Sequence, residues 1–421
     1  MAKCLGLANA RRIWAVILVC LFSVLAFSGP ALGADDADTA DDWFGAPAPI
    51  SVQAASSPTG PSQVNLSAAA AVLMEAASGR VILEKNAHAR REPASVTKLM
   101  TLVLVFDAVA KGQISLDDKV QVSDHAASLG GSQIYLEPGE EMTVRDLVIA
   151  VAVHSANDAS VALAEYVAGT EEAFVERMNQ KAKELQMNDS VFVNSHGLDL
   201  PGQTPNITSA YDLALLSRYA VRFPELLKYT GMWEYYIRQP PKQQWLVNRN
   251  RLVRFYPGAD GLKTGFTDQA GHCLAATASR GGLRFIAVVL GAPTSSARFA
   301  EAVSLLNYGF ANFSPLPVIK AGEVATTLPV ARGEPANLRL VAAEDLTVAV
   351  PKGAKAEVQQ VITTASDVVA PVKAGQVMGQ LAVTAGGQEL GRVALVAAED
   401  VRRLAWWGFW LRLVKLLLGA G

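Results

Sequence analysis

Three short motifs carry the side chains of this sequence that could perform chemistry. In the first, Ser95 precedes Lys98 by three residues; the second contains Ser155 and Asn157, and the third spans residues 263–265. In this order they supply a nucleophile, a base, a proton relay and an anion-binding strand. The combination predicts acyl transfer through a serine ester.

The first motif predicts a nucleophile and its base at the start of a helix. Residues 95–110 follow Pro93 and carry apolar side chains at helical spacing. Positions three apart share one helix face, so Ser95 and Lys98 can touch where backbone amides favour negative charge. Lysine can act as the base if burial and a second cation lower its pKa, and Lys263 could supply that cation.

The second motif follows the apolar segment 147–153, so a buried helix could deliver a polar loop to one wall of a cleft. The Ser155 hydroxyl could pass a proton to the leaving amine. Asn157 could hold the substrate amide and help to fix Lys98. Taken alone, the motif is more typical of a helix cap, so its interpretation depends on the other two motifs.

The third motif predicts a strand beside the same cleft. Lys263 and Thr264 could bind a substrate carboxylate, while Gly265 lets the backbone approach the acyl group closely. The backbone N–H groups of Ser95 and Phe266 could then form an oxyanion hole. Taken alone, the motif fits an exposed edge strand equally well.

Composition and the N terminus indicate an exported protein. A chain of 421 residues that is 51% hydrophobic and 18% charged can form two packed domains, and its net charge of −2 argues against a nucleic-acid partner. Basic residues, the apolar run 13–27 and the small residues 31–34 predict a signal peptide over residues 1–33. A retained membrane anchor is the alternative, although the run is short for a full span.

Other reactive side chains do not form a competing site. His196 lies in a turn-rich segment without a G-x-S-x-G motif, so we interpret it as a structural or cleft-edge residue. Cys4 and Cys20 fall within the predicted signal peptide, which leaves Cys273 as a buried apolar residue without a disulfide partner. The spacing of His and Cys does not match a zinc site, and we predict neither a metal nor a cofactor.

The chain after the signal peptide divides into four predicted segments. Residues 34–66 have a linker composition, and residues 67–313 begin with a hairpin, continue through helices and end in an antiparallel meander and a last helix. Residues 314–400 are typical of a small β-rich domain. Residues 401–421 combine aromatic, aliphatic and cationic side chains, which predicts an amphipathic helix on a membrane surface; a helix packed on the β-rich domain is the alternative.

These features resemble the low-molecular-weight penicillin-binding proteins, the serine D-alanyl-D-alanine carboxypeptidases of the S11 peptidase type. The resemblance covers about residues 69–313 and continues more loosely to the C terminus. Beyond the three motifs, it rests on residues 130–135, 196–199, 210–213 and 270–272. The sequence departs from the family pattern at Ala156, where Gly is usual, and at His272, where Tyr is usual.

The resemblance implies an α+β fold of the transpeptidase/β-lactamase type: an antiparallel sheet flanked by helices with a helical insertion, then the β-rich domain and the C-terminal helix. It implies that Ser95 is acylated, Lys98 is its base, Ser155 and Asn157 form the second motif, and residues 263–265 bind a carboxylate. The implied activity removes the terminal D-alanine from peptidoglycan stem pentapeptides at the extracytoplasmic face of the membrane. β-Lactams are the implied inhibitors.

Two other functions remain open at this point. A class A-like β-lactamase needs a carboxylate that activates water, and residues 184–188 loosely match its E-x-x-L-N pattern. We interpret this segment as a helix end, because a helical stripe continues from Phe174 to Leu185. A non-catalytic cell-wall binding module on the same fold is less favoured, because every side chain needed for the chemistry is present.

Overall fold

The computed structural model of the protein describes residues 64–199, 202, 204–353 and 358–404. The predicted signal peptide, residues 34–63 of the predicted linker and residues 405–421 of the predicted membrane helix lie outside the described residues. Val64 and Leu66 pack against the core of the first domain. Packing of this domain therefore starts before residue 67, and the linker is shorter than predicted.

A five-stranded antiparallel sheet forms the centre of the first domain. In chain order, the strands of this domain are β1 (Ala70–Glu75), β2 (Val81–Lys85), β3 (Lys119–Gln121), β4 (Glu141–Thr143), β5 (Glu234–Ile237), β6 (Gln244–Val247), β7 (Ala259–Thr267), β8 (Gly271–Arg280) and β9 (Leu283–Ala292). The central sheet has the order β2-β1-β9-β8-β7, while β3 pairs with β4 and β5 with β6. The predicted hairpin (β1, β2) and meander (β7, β8, β9) are confirmed.

Helices cover both faces of the central sheet. In chain order they are α1 (Lys98–Ala110), α2 (Asp124–Ala127), α3 (Val144–Ile149), α4 (Asn157–Ala168), α5 (Glu171–Glu184), α6 (Ala210–Ala220), α7 (Pro224–Thr230), α8 (Leu252–Phe255) and α9 (Ser295–Asn312). Successive residues of β9 face opposite cores: Val288 packs in the core that contains α1, and Val289 in the core that contains α9. The sheet is therefore buried on both faces, which explains the continuous apolar run of β9.

The helix that carries Lys98 runs through the centre of this fold. Every residue of α1 except the last two is buried, which is typical of a helix that is apolar on all sides. Two predicted helices differ from the structure beside the motifs. The helix predicted from residue 95 begins as a 3₁₀ turn (Ala94–Thr97), and the buried helix predicted before the second motif divides into α3 and a π-helical segment (Ala150–His154).

The second domain is built from strands, as predicted. They are β10 (Phe313–Ile319), β11 (Val324–Pro329), β12 (Gly333–Glu334), β13 (Asn337–Ala342), β14 (Leu346–Pro351), β15 (Val358–Thr364), β16 (Val377–Ala385), β17 (Gln388–Ala397) and β18 (Arg402–Arg403). A five-stranded sheet has the order β11-β13-β17-β16-β15, and β10 pairs with β14. Together the two domains form the α+β fold that the sequence predicts.

The predicted C-terminal helix does not begin at Val401. Val401 exchanges backbone hydrogen bonds with Val372 at 2.9 and 3.0 Å, and β18 pairs with β12, so residues 401–403 are extended. Pairing with the β-rich domain satisfies backbone groups that a helix would have used. Within the described ranges, no helix is long and apolar enough to span a lipid bilayer.

Candidate active site

Ser95 and Lys98 meet at the start of α1. Ser95 lies in the 3₁₀ turn, and Lys98 is the completely buried first residue of the helix. The Lys98 Nζ atom donates to Ser95 Oγ at 2.9 Å and to the backbone oxygen of His196 at 2.6 Å. Burial of the apolar helix carries this amino group into the core, and the two acceptors offset its loss of water.

Ser155 comes at the end of the π-helical segment. A π turn is a local widening of a helix that is frequent at functional sites. The turn ends with Ser155 in the left-handed conformation, φ 71° and ψ 27°, which costs a non-glycine residue about 1–2 kcal/mol. Its Oγ atom accepts a hydrogen bond from Lys263 Nζ at 2.8 Å. The first domain thus holds the Ser155 backbone in an unfavourable conformation, with the side-chain hydroxyl beside a buried cation.

Asn157 is 2% exposed, at the start of α4. Its side-chain Nδ2 donates to the Gly130 carbonyl at 2.8 Å, and its backbone N–H donates to the Ser132 carbonyl at 2.7 Å. Ser132 Oγ in turn donates to the His154 carbonyl at 2.9 Å. Asn157 therefore ties the loop around Ser132 to the second motif, and its contact with substrate stays a prediction.

The third motif lies on β7, directly against the nucleophile turn. A Cβ atom added to Gly265 would lie 2.6 Å from the Pro93 carbonyl oxygen and 3.0 Å from the Ser95 nitrogen. Glycine is needed here because the strand packs on the turn, not only because substrate approaches. Lys263 is 2% exposed, and its Nζ atom donates to Ser155 Oγ at 2.8 Å and to the Thr264 carbonyl at 3.0 Å.

A small cleft opens beside Ser95, and two arginines line it. The lining residues are Ser95, Ser155, Arg249, Thr264, Gly265, Phe266 and Arg298. Arg298 is 2% exposed and donates to the Gly265 carbonyl at 3.1 Å, while the backbone N–H of Arg249 donates to the Val153 carbonyl at 3.1 Å. Sequence analysis missed both arginines. The available signal was weak: Arg298 interrupts the apolar stripe of α9.

The electrostatic field of the cleft is positive. Among the described residues that line the cleft none is acidic and two are arginines, and Lys263 lies directly behind it. Burial, together with the cations Arg249 and Lys263, lowers the pKa of His154 to about 4. Such a site favours an anionic ligand over a cationic one.

His196 supports the cleft through its backbone. Its carbonyl accepts from Lys98, and its Nδ1 atom accepts from the backbone N–H of Leu198 at 3.0 Å. Burial lowers the pKa of His196 to about 4, with the Lys98 charge acting in the same direction and Glu171 opposing it. The neutral ring is 2% exposed and fills a structural position, in line with the sequence interpretation.

The other candidates lie away from this chemistry. Helix α5 ends at Glu184, as the sequence interpretation held, and Glu184 pairs with Lys181 at 2.8 Å beside a different pocket. Cys273 is completely buried, and burial raises the pKa of its thiol to about 11. In the part of the chain that the structure describes, no three His, Cys, Asp or Glu side chains are grouped so that they could hold a metal ion.

An α+β fold that brings a buried lysine to a serine hydroxyl, and a second lysine to another, defines an enzyme that acylates its own serine. The profile of the D-alanyl-D-alanine carboxypeptidase family, peptidase S11, matches residues 54–294, and that of the C-terminal domain of penicillin-binding protein 5 matches residues 313–403. The chain belongs to the S11 family of D-alanyl-D-alanine carboxypeptidases, the low-molecular-weight penicillin-binding proteins, and is a serine-type carboxypeptidase.

Individual relatives agree with this family. The D-alanyl-D-alanine carboxypeptidase DacF of Bacillus subtilis is 41% identical over 338 residues, which cover 80% of this chain and 86% of the relative. The structure of penicillin-binding protein 5 from Haemophilus influenzae is similar with a TM-score of 0.64 and 33% identity, over 82% of this chain and all of that one. Penicillin-binding protein D2 from Listeria monocytogenes, solved with ampicillin bound, has a TM-score of 0.54 and 36% identity over 59% of this chain and 99% of its own.

Proposed function

We propose that Ser95 is the nucleophile with which this carboxypeptidase removes the terminal D-alanine from peptidoglycan stem pentapeptides. The observation that carries the proposal is the 2.9 Å contact between Ser95 Oγ and Nζ of the buried Lys98. Ser95 Oγ bonds to the carbonyl carbon of the penultimate D-alanine, and the C–N bond to the terminal D-alanine breaks. Water then hydrolyses the ester and regenerates the hydroxyl.

Lys98 takes the Ser95 proton, and this proton passes on through Ser155: the Ser155 hydroxyl gives its hydrogen to the leaving amine and takes up the one that Lys98 holds. A neutral lysine amine has two hydrogens and one lone pair. When one N–H donates a hydrogen bond to the His196 carbonyl, the lone pair can face Ser95. Ser155 Oγ is held by Lys263 at 2.8 Å on the other side of the cleft. Lys263 therefore acts mainly through Ser155, not as a direct ligand of substrate.

The oxyanion of the tetrahedral intermediate lies between β7 and the nucleophile turn. Ser95 and Phe266 both line the cleft, and the Ser95 nitrogen lies close to Gly265, the residue before Phe266. The backbone N–H groups of these two residues therefore flank the same space. Donors that are fixed before the reaction stabilise developing charge without the cost of reorganisation.

The cationic end of the cleft recognises a carboxylate. Arg249, Arg298 and Thr264 line it, and guanidinium groups bind carboxylates through charge-assisted hydrogen bonds. A stem peptide that ends in D-Ala-D-Ala and a β-lactam both place a carboxylate near a reactive amide carbonyl. The ampicillin bound to the Listeria neighbour supports β-lactam binding at the corresponding fold region of this chain.

Two assays test the chemistry. We expect a fluorescent penicillin to label the wild type but not Ser95→Ala, and we expect penicillin to block D-alanine release from a tripeptide-D-Ala-D-Ala substrate. Equal labelling of both proteins would remove Ser95 from its role. Rapid penicillin turnover would favour a β-lactamase, and an absence of D-alanine release by folded protein would favour a binding module.

We also propose that the enzyme is exported and held on the extracytoplasmic face of the cell membrane by residues 405–421. The sequence supports this: a predicted signal peptide precedes the enzyme, and near the C terminus four aromatic residues are followed by two cations among leucines. Anionic phospholipid vesicles should sediment the chain without its signal peptide, but not a version that ends at Leu404. Equal sedimentation of the two would remove the anchor from these residues.

A further inference from the structure

We propose that Glu171 is a positioning residue for Lys98, acting through Ser195 and the backbone that leads from it to the His196 carbonyl. The inference rests on the proposed function, in which Lys98 takes the Ser95 proton. Glu171 does not line the cleft and lies behind the loop that carries His196. Its side chain is 12% exposed, so its charge is largely shielded from water.

Glu171 holds the amide side of this loop. One carboxylate oxygen, Oε1, accepts from the Ser195 backbone N–H at 2.9 Å and from Ser195 Oγ at 2.7 Å. The other oxygen lies 3.0 Å from Nε2 of His125, an exposed ring on α2. Hydrogen bonds to an ionised carboxylate are roughly twice as strong as neutral ones, so this contact fixes the start of the loop.

Two helices hold the carbonyl side of the same loop. The Ser195 carbonyl accepts from Thr101 Oγ1 on α1 at 2.6 Å and from Ser160 Oγ on α4 at 2.9 Å. Thr101 lies three residues after Lys98, on the same face of α1. With its N–H on Glu171 and its carbonyl on these hydroxyls, Ser195 cannot rotate without breaking buried hydrogen bonds.

The orientation of Ser195 determines where the next carbonyl points. His196 O accepts from Lys98 Nζ at 2.6 Å. This hydrogen bond restricts the orientation of the Lys98 amine relative to Ser95. A shift of about 1 Å in a reacting group can reduce a rate by about 100-fold. Loss of Glu171 should therefore weaken the proton transfer from Ser95, while the arginines that line the cleft keep their contacts.

Charged groups on the neighbouring elements do not replace Glu171 in this position. His196 Nε2 lies 3.8 Å from Glu171 Oε1, and His125 approaches the opposite oxygen. Neither group can accept a hydrogen bond from the Ser195 N–H where Glu171 does. Glu172, the next residue of α5, is exposed and provides a matched control for the loss of a carboxylate at this helix start.

The test is the rate of acylation by penicillin as a function of penicillin concentration, for full-length Glu171→Ala, Glu171→Gln and Glu172→Ala. We expect Glu171→Ala to lower the limiting acylation rate about 100-fold while the half-saturating concentration changes less than about twofold. Glu171→Gln keeps an acceptor oxygen for Ser195 and should recover most of that rate. Glu172→Ala should match the wild type.

An unchanged limiting rate in Glu171→Ala, or a loss confined to the half-saturating concentration, would overturn the proposal. Equal rates in Glu171→Ala and Glu171→Gln would do the same. If Glu171→Ala does not fold, Ser195→Ala serves instead: it removes only the 2.7 Å bond and should lower the limiting rate several-fold. Labelling of Ser95→Ala would contradict the proposed function instead. The Glu171 comparisons would still hold in that case, because each variant rate is expressed as a ratio to the wild-type rate.

Discussion

At the scale of single residues, Gly265 determines how closely strand β7 approaches the turn that carries Ser95. We predict that Gly265→Ala lowers penicillin acylation by about 100-fold, because its Cβ atom would lie 2.6 Å from the Pro93 carbonyl and force β7 away from Ser95. Overpacking of this kind also costs about 1–3 kcal/mol of unfolding free energy. Acylation kinetics and urea denaturation of the same sample measure the two effects.

Gly112 supplies a control in which stability changes but activity does not. It has φ 65° after the end of α1, and a Cβ atom there would meet open space. Gly112→Ala should therefore lose about 1 kcal/mol through backbone strain and acylate at the wild-type rate. Wild-type acylation by Gly265→Ala would show that the strand can move without consequence.

The sequence could predict the contact within the first motif but not the burial of residues in the other two. Ser95 and Lys98 could be paired because helical spacing is a local property. The burial of Lys263 and Asn157 could not be predicted, because it depends on how β7 and α4 pack across the cleft. Arg298 was missed for the same reason: it belongs to no motif, and only the packing of α9 on the sheet brings it to Gly265.

At the scale of secondary-structure elements, the π-helical segment presents Ser155. We predict that Ser155→Gly and Ser155→Ala lose D-alanine release to a similar extent, because both lack the hydroxyl that Lys263 holds. They should differ in stability. The glycine variant should be about 1 kcal/mol more stable than the alanine variant, since φ 71° is strained only for a residue with a side chain.

Turnover and urea denaturation of the two Ser155 variants test this prediction together. Equal unfolding free energies would show that the π-helical segment relaxes when the hydroxyl is removed, so that the left-handed conformation depends on Lys263. Substantial activity in either variant would instead show that another group protonates the leaving amine.

Element types were predictable where apolar runs were bounded by turn residues. The two apolar runs of the β1–β2 hairpin and the apolar runs of β8 and β9 identified the central sheet. The π-helical segment was not predictable, because a helix of period 3.6 and a wider turn carry the same apolar residues over one turn. The strands β5 and β6 were missed because each has only four residues, too few to establish a period of two, even though the turn signal Pro240-Pro241 lies between them.

At the scale of the whole molecule, the two domains share a packed junction. Helix α9 passes into β10 without intervening residues, and the Asn312 carbonyl accepts from the Lys352 backbone N–H at 2.8 Å. Arg80 donates to the Ala349 carbonyl at 3.1 Å, and Ala349 is buried in the core beneath the central sheet. The β-rich domain therefore completes the core of the first domain as well as continuing the chain.

Acid should destabilise this molecule through its buried histidines. The pKa of His154 and that of His196 are both lowered to about 4, against an ordinary value of about 6.5. Below pH 6.5 the unfolded chain binds protons that the folded chain does not, so the unfolding free energy falls as the pH falls from 6.5 towards 4. At pH 5 the loss should be about 2 kcal/mol for each histidine relative to pH 7.

Urea denaturation at pH 7 and pH 5, for the wild type and His154→Gln, measures this loss. Glutamine does not titrate, so the variant should lose about half as much unfolding free energy between the two pH values as the wild type does. The quantity compared is the change in unfolding free energy between pH 7 and pH 5 for each protein. A difference between the two proteins at pH 7 therefore does not affect the comparison. An equal change in both proteins would mean that His154 is protonated in the folded state at pH 5, and that the cations beside the cleft do not keep it neutral.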